Sequence, residues 1–147
     1  MAEPSQRFAM CRLAEQRFPY MKACDIEITS DDCSYTYLTM QKLANRHPEH
    51  SFYFIMGADS LDYFEKWRNP AIISSLCTIL VVNRDEFTEE YLQEKIRHIN
   101  RLFPADIRIV HCKKYDISST EIRKGEKLDD VLPEIKNYIL EHHLYGL

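Results

Sequence analysis

The 147-residue chain contains no apolar run approaching the roughly 18 residues that a membrane span needs. Its first 19 residues also lack the apolar core of a signal peptide. A strong excess of either basic or acidic residues is missing too. The 19 Lys and Arg against 23 Asp and Glu leave a formal charge of -4, which gives no general attraction to nucleic acid or to an anionic membrane, so any phosphate site must be local. No C-x-x-C pair joins the five cysteines, Cys11, Cys24, Cys33, Cys77 and Cys112. That scattered usage suits a reducing compartment where Cys serves as a small hydrophobe, and the expectation is a cytoplasmic protein without a nucleic-acid or membrane partner. Also absent are a Walker P-loop, a G-x-G-x-x-G turn and a nucleophile elbow, so covalent catalysis has no visible candidate. Repeats, linkers and low-complexity tracts are missing as well.

At 45% hydrophobic and 29% charged, the chain is long enough to bury a core and short for two comfortable domains, which predicts one domain over residues 1–147. "SQRFAMCRLAEQRF" offers a Ser5 cap and an apolar stripe at Phe8, Cys11, Ala14 and Phe18, the pattern of an amphipathic helix. "CDIEIT" alternates and reads as a strand. Ser34 or Thr36 can cap a helix from Tyr37 to about Arg46. "SFYFIMG" and "CTILVV" are apolar and rich in β-formers, as expected of strands covered on both faces of a parallel sheet. Between them, Asn69 stands at a cap position with Pro70 at the first helical residue. Thr88 opens a helix to about Phe103, "DIRIVHC" forms a fourth strand, and a last helix runs from Pro133 to about His142. Helix and strand alternate, so the predicted class is α/β with a parallel sheet flanked by helices. Ligands in such sheets bind beyond the carboxyl ends of the strands. The segments there begin at Thr29, Gly57, Asn83 and Lys113, and should converge on one edge.

Among those segments, "ISSTEIR" (Ile117–Arg123) carries the most chemistry. Ser118 and Glu121 form the S-x-x-E capping box. A helix start presents unpaired N–H groups and partial positive charge, to which Ser119 and Thr120 add hydroxyls and Arg123 a planar fork, one turn on, suited to phosphate oxygens. The alternative is plain capping with Arg123 a solvated surface residue. "FIMGADSL" places Gly57, Ala58 and Asp59 at a strand-to-helix junction, where Asp59 can accept from a ribose hydroxyl or simply cap. Trp67, the only tryptophan, sits in the polar stretch "EKWRNP". It can stack on a flat ring while Lys66 or Arg68 meets an acidic substituent, or it can fold onto the domain edge. Arg84 is a ligand contact or a surface charge. His47 and His50, and the pair His142 and His143, have no carboxylate or cysteine at ligand spacing in this reading, so no metal site is expected. His98 and His111 read as structural.

The ordered set "SYT", "FIMGADSL", "KW", "VVNR", "ISSTEIR" and "EHHLY" resembles the bacterial nicotinate mononucleotide adenylyltransferases, of the Rossmann-like nucleotidyltransferase superfamily, across essentially the whole chain. The resemblance implies transfer of the adenylyl group of ATP to nicotinate mononucleotide, giving deamido-NAD and pyrophosphate in NAD biosynthesis. It implies Mg²⁺ accompanying ATP, with no protein ligand identified. By the same resemblance Ser118, Ser119, Thr120 and Arg123 hold the ATP phosphates, and Ser119, Thr120 and Arg123 stabilise the charge that develops there. Trp67 stacks on the pyridine, and Thr36, Gly57 and Ala58 fix its carboxylate. Asp59 and Arg84 lie along the nucleotides.

The family pattern also includes an opening strand and a "GGxFDPxHxGH" segment whose histidines touch the ATP phosphates. No H-x-G-H occurs in this sequence. The resemblance therefore implies a domain incomplete at its amino terminus, inactive by itself, and prone to self-association through unpaired sheet edges. A non-catalytic nucleotide-binding or interaction domain that kept the pocket is the alternative.

Overall fold

In the computed structural model, residues 2–29, 33–83, 87–113 and 116–147 are described. They fall into two compact units, one of residues 1–32 with 116–147 and one of residues 33–115.

The second unit is built on three parallel strands in the order β1-β2-β3: β1 is Phe52–Gly57, β2 is Cys77–Asn83 and β3 is Ile107–His111. Register runs from Phe52 opposite Cys77 to Gly57 opposite Val82, and from Ile79 opposite Ile107 to Asn83 opposite His111. The parallel α/β class expected from the sequence is therefore observed. Every second residue of β2, from Cys77 to Asn83, is buried. Those side chains meet α2 (Thr36–Arg46), α3 (Ala58–Leu61), α4 (Pro70–Leu76) and α5 (Glu89–Leu102) in one core, where Leu61, Phe64, Ile73, Ile79, Val81, Leu92 and Ile99 are fully buried or nearly so. The other face is barer. Tyr53 and Ile55 of β1 are 57% and 67% exposed, although a parallel sheet is ordinarily covered on both sides.

Local signals placed most helix ends. Thr88 caps α5, its hydroxyl accepting from the Tyr91 N–H at 3.3 Å. Pro70 opens α4 behind Asn69, which adopts left-handed angles with φ 52°.

In the first unit, α1 spans Pro4–Arg17 and α7 spans Pro133–Glu141. Ala2, Ile139 and Leu144 form its small core, joined by the half-buried Met10, Ile135 and Tyr138. Helix α6 (Ser119–Arg123) has the predicted capping box: the Glu121 N–H donates to Ser118 Oγ at 3.2 Å, and the Ser118 N–H donates to Glu121 Oε2 at 2.9 Å.

Three expectations are corrected. "CDIEIT" is no strand; the Ile28 and Thr29 N–H groups both donate to the Asp25 carbonyl at 2.9 and 3.0 Å, closing a turn. Alternation gives a strand only where a neighbour accepts its ladder, and among the described residues none pairs there. Ser5 does not cap α1, because Pro4 already occupies the first turn and Gln6 reaches back to the Glu3 N–H at 2.9 Å. Neither Ser34 nor Thr36 caps α2, whose first residue is Thr36 and whose Tyr35 cap makes no side-chain capping bond.

A half-buried ion pair ties α5 to the turn after α3: Lys95 Nζ donates to Glu65 Oε1 at 3.0 Å, with both side chains 17% exposed. Burial pushes the Glu65 carboxyl upward, but the Lys95 hydrogen bond and charge outweigh it and hold the group below its ordinary value. Its contribution to stability is thus present above the ordinary glutamate value and is lost as pH falls through the lowered folded one. Lys95→Met strands a carboxylate whose second oxygen has no partner among the described residues. We expect a loss of about 1–3 kcal/mol in urea unfolding at neutral pH, shrinking as Glu65 protonates at acid pH.

Candidate functional site

Beside the first turn of α2 lies a pocket of about 220 Å³ lined by Ser34, Tyr35, Thr36, Trp67, Arg68 and Ile73. That volume suits one flat ring with a small substituent, being under the ~300–1,000 Å³ of sites for larger ligands. Ile73 forms its buried base. Trp67 is half-buried, its ring centroid 6.1 Å from that of Phe54 and 5.5 Å from that of Phe64, with interplanar angles of 81° and 66° respectively. These contacts hold the indole by its edges.

Arg68 crosses to the opposite wall. Its guanidinium carbon lies 4.9 Å from the centre of the Tyr35 ring, and Nη1 donates to the Tyr35 hydroxyl at 3.4 Å. The wall thus carries a fixed positive charge close to the start of α2, whose first amides have no side-chain acceptor among the described residues. Both features favour an anionic group on a ring entering here.

The turn carrying Trp67 and Arg68 ends at Asn69, left-handed and immediately before a proline, where the preceding residue is normally driven to extended angles. Asn tolerates that conformation better than other residues with a side chain.

Thr36 and Trp67 are therefore brought together as expected. Gly57, Ala58 and Asp59 do not line this pocket; they form the junction from β1 into α3, with Ala58 buried and Asp59 exposed. Gly57 holds no left-handed angle, its φ being -73°, and a Cβ there would meet only the exposed Asp59 carboxylate, which can turn aside. Asp59 is the second residue of α3 and makes no capping bond. Arg84 lies outside the described residues. Tyr35 and Arg68 were missed as a pair: 33 residues separate them, and no local spacing links them.

The phosphate-clamp candidates belong to the first unit. Ser118, Ser119, Thr120 and Arg123 are all exposed, and the last three make no side-chain hydrogen bond or ion pair among the described residues. Helix α6 is only five residues long, yet both ends are fixed. After it the Gly125 N–H donates to the Ile122 carbonyl and the Glu126 N–H to the Glu121 carbonyl, each at 3.0 Å, the double bond of a Schellman ending. Gly125 supplies the left-handed φ of 84° that this needs. Lys127 braces the start, donating to the Asp116 carbonyl and pairing with the Asp116 and Glu121 carboxylates at 3.1 Å each. Glu121 is held below its ordinary value, first by the Ser118 hydrogen bond and then by Lys127. Because Asp116 and Glu121 are committed to Lys127, they make a poor ligand set for Mg²⁺, and no step is routed through a metal held by them.

A larger hollow of about 600 Å³, lined by residues such as Ser74, Asn100, Phe103 and Asp106, sits where β2 and β3 begin. Open α/β sheets place ligands at the other ends.

Residues 1–125 match the cytidylyltransferase-like family. The fold and this match define an α/β nucleotidyltransferase domain. The chain is 31% identical to a probable nicotinate-nucleotide adenylyltransferase of Lachnoclostridium phytofermentans, over 99% of this chain and 75% of that protein. It is 34% identical to the protein of the same description from Shewanella pealeana, over 95% and 71% respectively. The nicotinic acid mononucleotide adenylyltransferase of Plasmodium falciparum, solved with APC, superposes with a TM-score of 0.75 at 21% identity, covering 99% of this chain and 77% of that one. This chain belongs to the nicotinate-nucleotide adenylyltransferase branch of the cytidylyltransferase-like family.

Replacing Asn69 by Ala should cost about 1 kcal/mol in urea unfolding, whereas Asn69→Gly should be near neutral. Ser118→Ala should likewise cost about 1 kcal/mol, seen as faster amide exchange confined to residues 119–123.

Proposed function

We propose that this chain works in the joining of ATP and nicotinate mononucleotide to deamido-NAD and pyrophosphate. The observation that carries the reading is the pocket wall in which Trp67, Thr36 and the Tyr35-held Arg68 stand together. A pyridine ring stacks on the Trp67 face, and its carboxylate meets the Thr36 hydroxyl, the first amides of α2 and the Arg68 guanidinium. A neutral amide in the same place gains less from the positive wall, which favours the acid form of the nucleotide. Ser118, Ser119, Thr120 and Arg123 take the ATP phosphates and stabilise the charge that develops on the departing pyrophosphate. Asp59 and Arg84 accompany the nucleotides, and Gly57 and Ala58 keep the end of β1 open to the substrate. Phosphoryl-group chemistry of this kind depends on positioning and electrostatics, and no protein nucleophile is needed. Magnesium arrives coordinated by ATP.

Because the sequence contains no H-x-G-H, the chain holds one half of the family's phosphate grip, and binding without turnover is the reading for the chain by itself. The bare face and outer edge of β1, with Tyr53 and Ile55, favour self-association.

Calorimetry on this chain should give saturable binding of nicotinate mononucleotide that Trp67→Ala weakens at least about tenfold. Arg68→Ala should erase most of the preference over nicotinamide mononucleotide. Pyrophosphate release from ATP and nicotinate mononucleotide should be undetectable until a relative's H-x-G-H segment is joined ahead of the chain, and Arg123→Ala should then lower the rate about 10²-fold or more. Binding without any turnover in the joined protein would favour the non-catalytic alternative, and absence of binding would overturn both.

A further inference from the structure

The turn between α2 and β1 reads His47-Pro48-Glu49-His50. The His47 N–H donates to the Leu43 carbonyl at 2.9 Å, ending α2, and the His50 N–H donates to the His47 carbonyl at 3.1 Å. That three-residue closure brings the two imidazoles to the same side, with ring centroids 5.3 Å apart and planes 13° from parallel. Glu49 Oε1 lies 3.7 Å from His47 Nδ1 and 3.3 Å from His50 Nδ1. All three donor atoms fall within 4.8 Å of one another. Glu49, between the histidines, is the carboxylate that the sequence reading of this stretch passed over.

We propose that His47, Glu49 and His50 form a binding site for a borderline-soft divalent cation of the Zn²⁺ class. Zinc bonds to imidazole nitrogen and carboxylate oxygen at about 2.0–2.2 Å, so neighbouring donors in a tetrahedral shell stand about 3.3–3.5 Å apart. The 3.3 Å separation to His50 already matches that spacing, and the 3.7 Å separation to His47 lies just above it. Imidazole donors select Zn²⁺ over Mg²⁺, which demands six hard oxygen ligands. The side chains are 49%, 60% and 59% exposed in chain order, leaving the remaining position open to water. The location defines the consequence. Helix α2 starts at the pocket with Thr36, and this turn joins its other end to the start of β1, so a cation here clips two elements of the second unit together without touching the ligand pocket.

Thiolates are strong zinc ligands, and Cys11, Cys24, Cys33 and Cys112 are exposed, so the test must read the imidazoles. The full chain, with its thiols alkylated, is titrated with ZnCl₂ and followed by ¹⁵N imidazole NMR and calorimetry. Expected are one equivalent bound, ligation shifts at Nδ1 of both His47 and His50, at least about tenfold weaker binding in E49Q and in H50Q, and no response to MgCl₂. A rise in thermal midpoint with Zn²⁺ in the parent and not in H50Q should accompany them. Unshifted imidazoles, no binding once the thiols are alkylated, or affinity retained in both variants would overturn the site.

Discussion

Parallel pairing of three strands is the constraint on which the second unit rests. Because β1, β2 and β3 run the same way in fixed register, Gly57, Asn83 and His111 finish on one side of the sheet. Each chain reversal must then be made by a crossover, and the crossovers supply α3, α4 and α5. Their inward faces meet the alternate buried residues of β2. The pocket inherits its rigidity from this arrangement: Ile73, its base, belongs to the core, and Trp67 leans on Phe54 from β1 and on Phe64.

In the first unit the residues proposed to take the ATP phosphates sit on a helix too short to be stable through its own hydrogen bonds. Its five residues persist because the ends are closed by side chains and by turn geometry. Ser118 and Glu121 satisfy the opening donors, Gly125 lets the last carbonyls be satisfied, and Lys127 neutralises the carboxylate nearest the start. The residues that make the helix possible are thus distinct from Ser119, Thr120 and Arg123, which remain exposed. Structural support and the proposed phosphate contacts are divided between neighbouring positions.

What was legible in the sequence was chiefly what is decided within a few residues. The strands of Phe52–Gly57, Cys77–Asn83 and Ile107–His111, the Thr88 cap, the Pro70 start and the capping box of α6 each depend on local chemistry. "CDIEIT" failed because a strand is completed by a partner, and the Asp25 carbonyl captured its amides instead. The Ser5 and Ser34 or Thr36 caps failed because a proline or an uncapped turn already set the start. Trp67 looked like an aromatic in a polar loop because Phe54 and Phe64 reach it only through folding. The bond between Arg68 and Tyr35 was invisible for the same reason. Glu49 was on the page, but only the turn shows that it faces both neighbouring histidines.

The position of the single tryptophan has an optical consequence. All indole absorption and emission of the chain arises from Trp67, whose half-buried ring borders the pocket and borrows no signal from a second indole elsewhere. A change in its spectrum upon mixing with a small molecule is therefore already mapped to one wall of one pocket. The nine tyrosines can be left dark by exciting at the red edge, making the unlabelled protein its own gauge of occupancy.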